Sequence, residues 1–426
     1  MFIDLHIHST ASDGTDTPER IVEKICAEDG VKIFSITDHE TFKGVEKVLP
    51  IIPRDVFFIN GAEISCKTAR HVKCHILTYF FDPAHEEMQK ISRMGKELQK
   101  AKFDIRLKYL CELYNINVTA EEIAAHFADE SFGKPQLVNF IAQKCGFEKR
   151  KIYHDIKKCR VGSMRLDVAE VVKAVTAAGG IAVWAHPLGG EGERRLLPEE
   201  FEERLEVLKN CGIHGLECYY SRYTPYETRF LVDAANKNNL LISGGSDYHG
   251  KNKKNISLGE LGAEFPAVKI SQLTILQEVF ARHKNPRVRK AFKIAKKSHA
   301  GQVDKSGVMY ILHPVTVAFH CGGEDSAIIT ALLHDTVEDT EITFDELKNT
   351  VPLTDDELQA LKMLTHDENT PYLEYVASIK DNPLARRVKI ADLQHNSDLS
   401  RIPAAQISEK DLSRVEKYRQ ALNILT

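Results

Sequence analysis

The 426-residue sequence has no Cys-x-x-Cys pair among its nine cysteines and no strong excess of either charge. Nor has it an apolar run near the ~20 residues that span a bilayer. Each absence removes a class of function. Scattered cysteines in odd number suit a reducing compartment and argue against a disulfide frame or a cysteine-held zinc. A formal net charge of −4 excludes a molecule that binds nucleic acid or membrane over its whole surface. No basic segment followed by an apolar stretch precedes the first strand-like residues, so a soluble, cytoplasmic protein is expected. Repeats and low-complexity tracts are missing too, and the length suggests two or three domains.

What is present begins at once. Ile3, Leu5 and Ile7 alternate with Asp4, His6 and His8, the period of a pleated strand. His6 and His8 therefore project from one face at the strand end, where paired imidazoles can grip one metal ion. Ser12-Asp13-Gly14 follows as a turn, and Thr17-Pro18 opens a helix. Further short apolar strands are expected at 31–37, 56–60, 72–81, 180–185, 215–219 and 240–243. Most of them lead into or carry such residues: Asp38-His39, Gly61-Ala62-Glu63, His75, His186-Pro187 and Asp247-Tyr248-His249. Amphipathic helices fall between several of them. One is capped by Asp167 with Glu170 as its capping-box partner, and others cover 198–210 and 225–238. The fold class is therefore α/β, with seven strands in a mostly parallel sheet and metal-type residues at their carboxyl ends. A distorted seven-stranded βα barrel fits that count; an open sheet with a crevice at its carboxyl edge is the alternative.

Two stretches break this pattern. Residues from about 86 to 165 read as helical throughout, with 16 Lys/Arg against 9 Asp/Glu over 89–165. They form an expected insertion over the barrel mouth, either a solvated helical face or a lid that attracts phosphate or a nucleic-acid backbone. From 284 the chain turns all-helical, and residues 284–297 hold seven Lys/Arg and no acid. A first domain over 1–283 and a second over 284–426 are expected, with a loop at 300–312.

The candidate ligands of the first domain are His6, His8, Asp13, His39, Glu63, His75, His186, Asp247 and His249. Nitrogen and oxygen donors without thiolate favour Mn²⁺, Fe²⁺ or Zn²⁺. Nine donors suit about three ions sharing a carboxylate. The ordered set from His6-Ile7-His8-Ser9 through Thr37-Asp38-His39, Gly61-Ala62-Glu63, His75 and Ala185-His186-Pro187 to Ser246-Asp247-Tyr248-His249-Gly250 resembles the polymerase-and-histidinol-phosphatase (PHP) family of phosphoesterases. The insertion is similar to the branch acting on 3′,5′-bisphosphorylated nucleosides and trimming RNA from its 5′ end. The resemblance implies one ion on His6, His8, Glu63 and Asp247, a second on Glu63, His75 and His186, and a third on Asp13, His39 and His249, with Mn²⁺ expected first. Where that branch has Arg-Pro-His this chain has Lys134-Pro135-Gln136, so Lys134 is expected to meet substrate phosphate as a point charge. His214, just before a strand, reads as structural.

In the second domain His313-Pro314, His334-Asp335-Thr336-Val337-Glu338-Asp339 and Asp392-Leu393-Gln394-His395-Asn396 resemble HD-domain phosphohydrolases, in particular the hydrolase half of stringent-response alarmone enzymes. That implies an all-α fold and one Mn²⁺-like ion on His313, His334, Asp335 and Asp392. Glu338 and Asp339 would position or deprotonate the attacking water. Lys305, Asn396 and the basic 284–297 segment would meet the nucleotide. Asp304-Lys305-Ser306-Gly307 replaces the family's Arg-Lys-Ser-Gly and removes one cation. Together these imply a metal-dependent phosphohydrolase acting on nucleotides at two sites, with a nucleotide or short RNA as partner and neither a membrane nor a DNA polymerase. Two alternatives stand beside it: a 5′-to-3′ exonuclease on short RNA, and an HD domain that senses a nucleotide without cutting it.

Overall fold

The computed structural model describes all residues except 71, 128–131, 191–193, 263–267, 306, 368 and 402–406. The chain divides into two compact units, Met1–Ile52 with Phe58–Val268, and Pro53–Phe57 with Lys269–Thr426. The basic composition that begins at 284 lies inside the second unit, after its first short turns.

Eight strands form in the first unit: β1 Phe2–Ile7, β2 Lys32–Ile36, β3 Val56–Lys67, β4 Lys73–Tyr79, β5 Leu166–Asp167, β6 Ile181–Trp184, β7 Gly215–Tyr220 and β8 Leu241–Gly245. Seven of them run in the order β1-β2-β3-β4-β6-β7-β8, and β5 pairs with β3 off that path. The ends of the path meet. Asp247 N donates to His6 O at 2.8 Å and His8 N to Tyr248 O at 2.9 Å. The sheet is thus a nearly closed barrel of seven strands, and β5 is an eighth pairing too short for a sequence period to reveal.

Two expectations about the sheet change. β4 runs antiparallel to both β3 and β6, whereas an apolar run says nothing of direction. Reversal brings the amino end of β4 to the rim where its neighbours end, so His75 joins residues that follow other strands. Strand β3 also continues to Lys67, which places Glu63 inside a strand rather than after one. In the helix Val168–Ala177, Asp167 accepts from Ala169 N. Bonding the second rather than the third helical amide, it caps alone, and the expected Glu170 half of the box does not form.

Closure requires a residue without a side chain at 245. A Cβ there would lie 2.2 Å from His6 Cβ and 2.4 Å from His6 N. Gly245→Ala should force β1 and β8 apart at a cost of about 1–3 kcal/mol, lowering the barrel's thermal unfolding midpoint by roughly 5 °C. Scanning calorimetry checks this, and an unchanged midpoint contradicts the close approach.

The insertion is helical as expected, in segments Glu86–Tyr114, Ala120–His126, Lys134–Cys145 and Lys149–Ile156. Its apolar faces bury Phe103, Leu107, Leu110, Leu137, Ile141 and Ile152 in a core of their own. It reaches the barrel rim through Gln136, whose Nε2 donates to Ser12 O at 2.6 Å.

The second unit is helical among the described residues. Helices Leu312–His320, Asp325–Leu333, Asp355–Leu364, Pro383–Ser397 and Glu409–Leu425 carry its core. The basic helix Pro286–Ser298 buries Val288, Ala291, Phe292 and Ala295 and keeps most of its cations outward. The described residues between Ala300 and Ile311 form the expected loop, with one bridge between Val303 and Met309, and Leu312 already begins a helix. No helix among the described residues is long and apolar enough to cross a membrane.

Candidate metal centres

In the first unit all nine expected donors gather at one rim of the barrel. His6 and His8 come from the end of β1, Asp13 from the turn after it, His39 from beyond β2, Glu63 from β3, His75 from β4, His186 from beyond β6, and Asp247 and His249 from beyond β8. Glu63 lies between the groups. Its Oε1 is 2.9 Å from His75 Nδ1 and 3.2 Å from His186 Nε2. Its Oε2 is 3.3 Å from His6 Nε2, 3.2 Å from His8 Nε2 and 3.4 Å from His39 Nδ1. Asp247 Oδ1 approaches His6 Nε2 and His8 Nε2 at 3.6 and 3.5 Å. Asp13 Oδ1 lies 3.2 Å from His249 Nε2 and 3.6 Å from His8 Nδ1.

Three groups of converging donors result: His6, His8 and Asp247; Glu63, His75 and His186; and His8, Asp13, His39 and His249. The sequence did not foresee that His8 would face two of them. The residues fit cations on a structural ground. The buried nitrogens His8 Nδ1, His39 Nδ1 and His75 Nδ1 have no hydrogen-bond partner, a costly state unless a cation takes the lone pair. His75 Nδ1 faces Glu63 closely but without hydrogen-bond alignment. Burial opposes charge on Glu63, yet His75, His39 and His6 hold its carboxyl well below the usual range. Asp247 is also held down against burial, by Lys253, His249 and His6. Both therefore present anions. The backbone is strained at two of the donors, with φ of 31° at His186 and 60° at Asp247, a conformation that side chains adopt rarely and that recurs at functional sites.

Sequence reasoning passed over the residues that hold these donors. Glu217 Oε1 meets His6 Nδ1 at 2.8 Å, and its Oε2 accepts from His186 N at 2.7 Å. A carboxylate on Nδ1 turns His6 Nε2 to the cluster; the legible signal was a lone acid in the apolar run Gly215–Tyr220. Asp38 accepts from Ser9 N, Ser9 Oγ and Ser12 Oγ at 2.7, 2.7 and 2.6 Å, fixing the turn that carries Asp13. Asp4 receives Ser246 N and Oγ at 2.9 and 2.6 Å, tying β1 to the Asp247 loop. Lys253 Nζ and Tyr220 Oη both reach Asp247 Oδ2, at 2.5 and 3.0 Å, leaving Oδ1 to the histidines. Glu217→Gln should cost about 10–100-fold in metal affinity. Metal retained after dialysis against graded chelator checks it, and wild-type retention contradicts the orienting role.

Lys134 Nζ stands over the Tyr153 ring, 5.5 Å from its centroid, at the start of its helix. His214 Nδ1 accepts from Ala182 N at 3.1 Å, a structural bond.

The second unit brings four of its expected residues together. His313 Nε2 lies 3.2 Å from Asp335 Oδ2 and 3.3 Å from Asp392 Oδ1. His334 Nε2 lies 3.1 Å from Asp335 Oδ1 and 3.8 Å from Asp392 Oδ1. His334 Nδ1–H donates to Ala331 O at 2.8 Å, and its buried Nε2 has no hydrogen-bond partner, so this pocket too fits a cation. Against burial, Asp335 and Asp392 raise His313 to about 9. Asn396 Nδ2 donates to Asp392 Oδ1 at 2.5 Å, and Lys389 Nζ to its Oδ2 at 2.9 Å. Tyr310 Oη sits 2.8 Å from Asp335 Oδ2 and 2.7 Å from Asp339 Oδ2. Glu338 Oε2 accepts from His366 N at 2.9 Å, and burial raises its pKa. Lys305 pairs with Asp411 at 3.0 Å, while Ser306 of the same motif lies outside the described residues. Tyr310, Lys389 and His395, which meets His313 Nδ1 at 2.7 Å, were not singled out from the sequence.

No family model matches the chain. It is 30% identical over 261 residues to a phosphoribosyl 1,2-cyclic phosphate 1,2-diphosphodiesterase of Eggerthella lenta, covering 59% of this chain and 95% of that protein. It is 26% identical over 265 residues to a 3′,5′-nucleoside bisphosphate phosphatase of Chromobacterium violaceum, covering 58% of this chain and 87% of that one. A match in the C-terminal part, 44% identical over 64 residues, is to a guanosine-3′,5′-bis(diphosphate) 3′-pyrophosphohydrolase of Aquifex aeolicus and spans 14% of this chain and 9% of that one. Among solved structures, one from Bifidobacterium adolescentis described as a metal-dependent phosphoesterase aligns with a TM-score of 0.52 at 26% identity, covering 67% of this chain and 97% of that one.

Proposed function

We propose, from the premise that the N-terminal part of this chain belongs to the PHP-type phosphoesterases, that its centre removes phosphate from 3′,5′-bisphosphorylated nucleosides. The observation that carries the reading is Glu63, whose two oxygens face two different sets of imidazoles. In this reading His6, His8, Glu63 and Asp247 hold one divalent ion, Glu63, His75 and His186 a second, and Asp13, His39 and His249 a third, with Mn²⁺ first and Fe²⁺ or Zn²⁺ next. Such ions lower the pKa of bound water and neutralise charge on a phosphoryl group. The chain's own contribution is order. Glu217 sets the His6 ring, Asp38 sets the Asp13 turn, and Lys253 with Tyr220 fixes Asp247. The relative named as a bisphosphate phosphatase supports the substrate choice.

The test is phosphate release from adenosine 3′,5′-bisphosphate with Mn²⁺. Wild type should exceed Asp247→Ala by about 10³-fold, roughly 4 kcal/mol of barrier. Equal rates end the reading. A second reading, 5′-to-3′ trimming of short RNA, is favoured by the exposed Lys149 and Arg150 of the insertion. Trimming that ignores added salt would count against it.

For the second unit, whose match is to HD-type pyrophosphohydrolases, we propose hydrolysis of a nucleotide 3′-pyrophosphate. One ion would be held by His313, His334, Asp335 and Asp392. Glu338 and Asp339 would act on water, and Asn396 would hold Asp392 in place.

A further inference from the structure

We infer that the cleft beside His75 and His186 is a subsite for a second phosphate of the substrate, held by Arg165 and Arg204. The inference rests on the phosphatase reading and adds to it where the non-reacting phosphate sits. The cleft has a volume of about 540 Å³ and is lined by both of those histidines together with Lys73, Arg165, Arg194 and Arg204. Among the described lining residues none is acidic.

The three arginines are not equivalent. Arg194 is already clamped on Glu200, with Nη1 and Nη2 at 2.9 and 2.5 Å from its two oxygens. The Arg165 side chain makes one hydrogen bond, from Nη1 to Cys74 O at 3.3 Å, and no ion pair among the described residues. Arg204 has neither a hydrogen bond nor an ion pair among the described residues; Glu200, taken by Arg194, attracts it only at a distance. Both are half-buried. A half-buried guanidinium with no close anion keeps its donors available, and its planar fork matches a phosphate's oxygens.

The fold holds Arg165 in place. It immediately precedes β5, whose two residues pair with Cys66 and Lys67 of β3. That short pairing, at the rim where β3 meets β4, sets Arg165 beside the strand that bears His75. Arg204 comes from the helix Pro198–Asn210, which packs Phe201 flat on Trp184 with ring centroids 5.5 Å apart. Two separate elements thus deliver cations without an ion pair among the described residues to one cleft opening at the Glu63–His75–His186 group. A substrate with one phosphate at that group would place a second, carried by the same ribose, against these arginines.

The test uses the full chain carrying Arg165→Ala and Arg204→Ala together, with Arg165→Lys as the conservative variant and thermal unfolding to verify the fold. For adenosine 3′,5′-bisphosphate, KM should rise about 100-fold, on the scale of two lost charge-assisted hydrogen bonds. For p-nitrophenyl phosphate, which has one phosphate, KM should change by less than about twofold, and Arg165→Lys should fall between for the bisphosphate. Parallel changes with both substrates, or none with either, overturn the subsite. A second readout is independent of turnover. Trp184 is the single tryptophan and lines the cleft. Methylenebisphosphonate, whose P–C–P bridge resists hydrolysis, should change its fluorescence saturably in wild type and not in the double variant. A wild type without that change, or a double variant that keeps it, refutes the inference. Wild type that turns over neither substrate above Asp247→Ala defeats the phosphatase reading instead, and the fluorescence titration then decides the subsite alone.

Discussion

Glu63→Gln should abolish phosphate release by the first unit, by about 10³-fold or more, roughly 4 kcal/mol of barrier, and should strip the centre of much of its metal. The argument is geometric. Five imidazole nitrogens lie 2.9 to 3.4 Å from this one carboxylate, two on Oε1 and three on Oε2. Glutamine keeps the shape but has one oxygen, so one set would face an NH₂ group that cannot ligate a cation. The charge disappears as well, in a site where burial makes an uncompensated partner expensive. Glu63→Asp separates the two effects, because it keeps the anion but falls a methylene short of spanning both sets. It should retain part of the metal and little of the rate. Elemental analysis alongside release from adenosine 3′,5′-bisphosphate measures both. A glutamine variant with full metal content and near-wild-type turnover would show that the carboxylate bridges nothing.

The donors of that centre were legible because each follows or sits on a short apolar strand, and a barrel gathers strand ends at one rim. His75 was placed beside His186 by the family resemblance alone, not by the strand pattern. Only the reversed direction of β4 brings it there, and no periodicity encodes direction. Strand β5 escaped because two residues carry no period, although its place beside β3 positions Arg165. The supporting groups were harder still. Glu217, Asp38 and Lys253 are ordinary polar residues in sequence, and their meaning lies in partners as distant in the chain as Glu217 is from His6. In the second unit the His-Asp doublet and Asp392 stood out. Tyr310 did not, because one hydroxyl between Asp335 and Asp339 is a matter of packing alone. Lys305, expected at the nucleotide, is paired with Asp411, a contact that links a loop to the last helix and has no local signature.

The second large effect concerns that doublet. Asp335→Asn should remove pyrophosphate release from guanosine 3′-pyrophosphates by about 10³-fold or more while leaving adenosine 3′,5′-bisphosphate turnover within about twofold. Asp335 is the better target than Asp392. Loss of the Asp392 carboxylate would leave Lys389, half-buried and 2.9 Å from it, without that counter-ion, which destabilises the helix that carries both. Asparagine at 335 keeps the volume and still offers Tyr310 an oxygen. It removes the anion that His313 and His334 face at 3.2 and 3.1 Å, and with it the charge that favours a divalent ion there. One equivalent of metal should be lost, and thermal unfolding should be nearly unchanged because Asp335 stands between two helices rather than within one. A sensor that binds and does not cut gives another pattern: wild type would hold the guanosine nucleotide without releasing pyrophosphate, and Asp335→Asn would change affinity alone. Turnover by wild type, lost in the variant while the nucleotide still binds, assigns chemistry to this unit and dismisses the sensor.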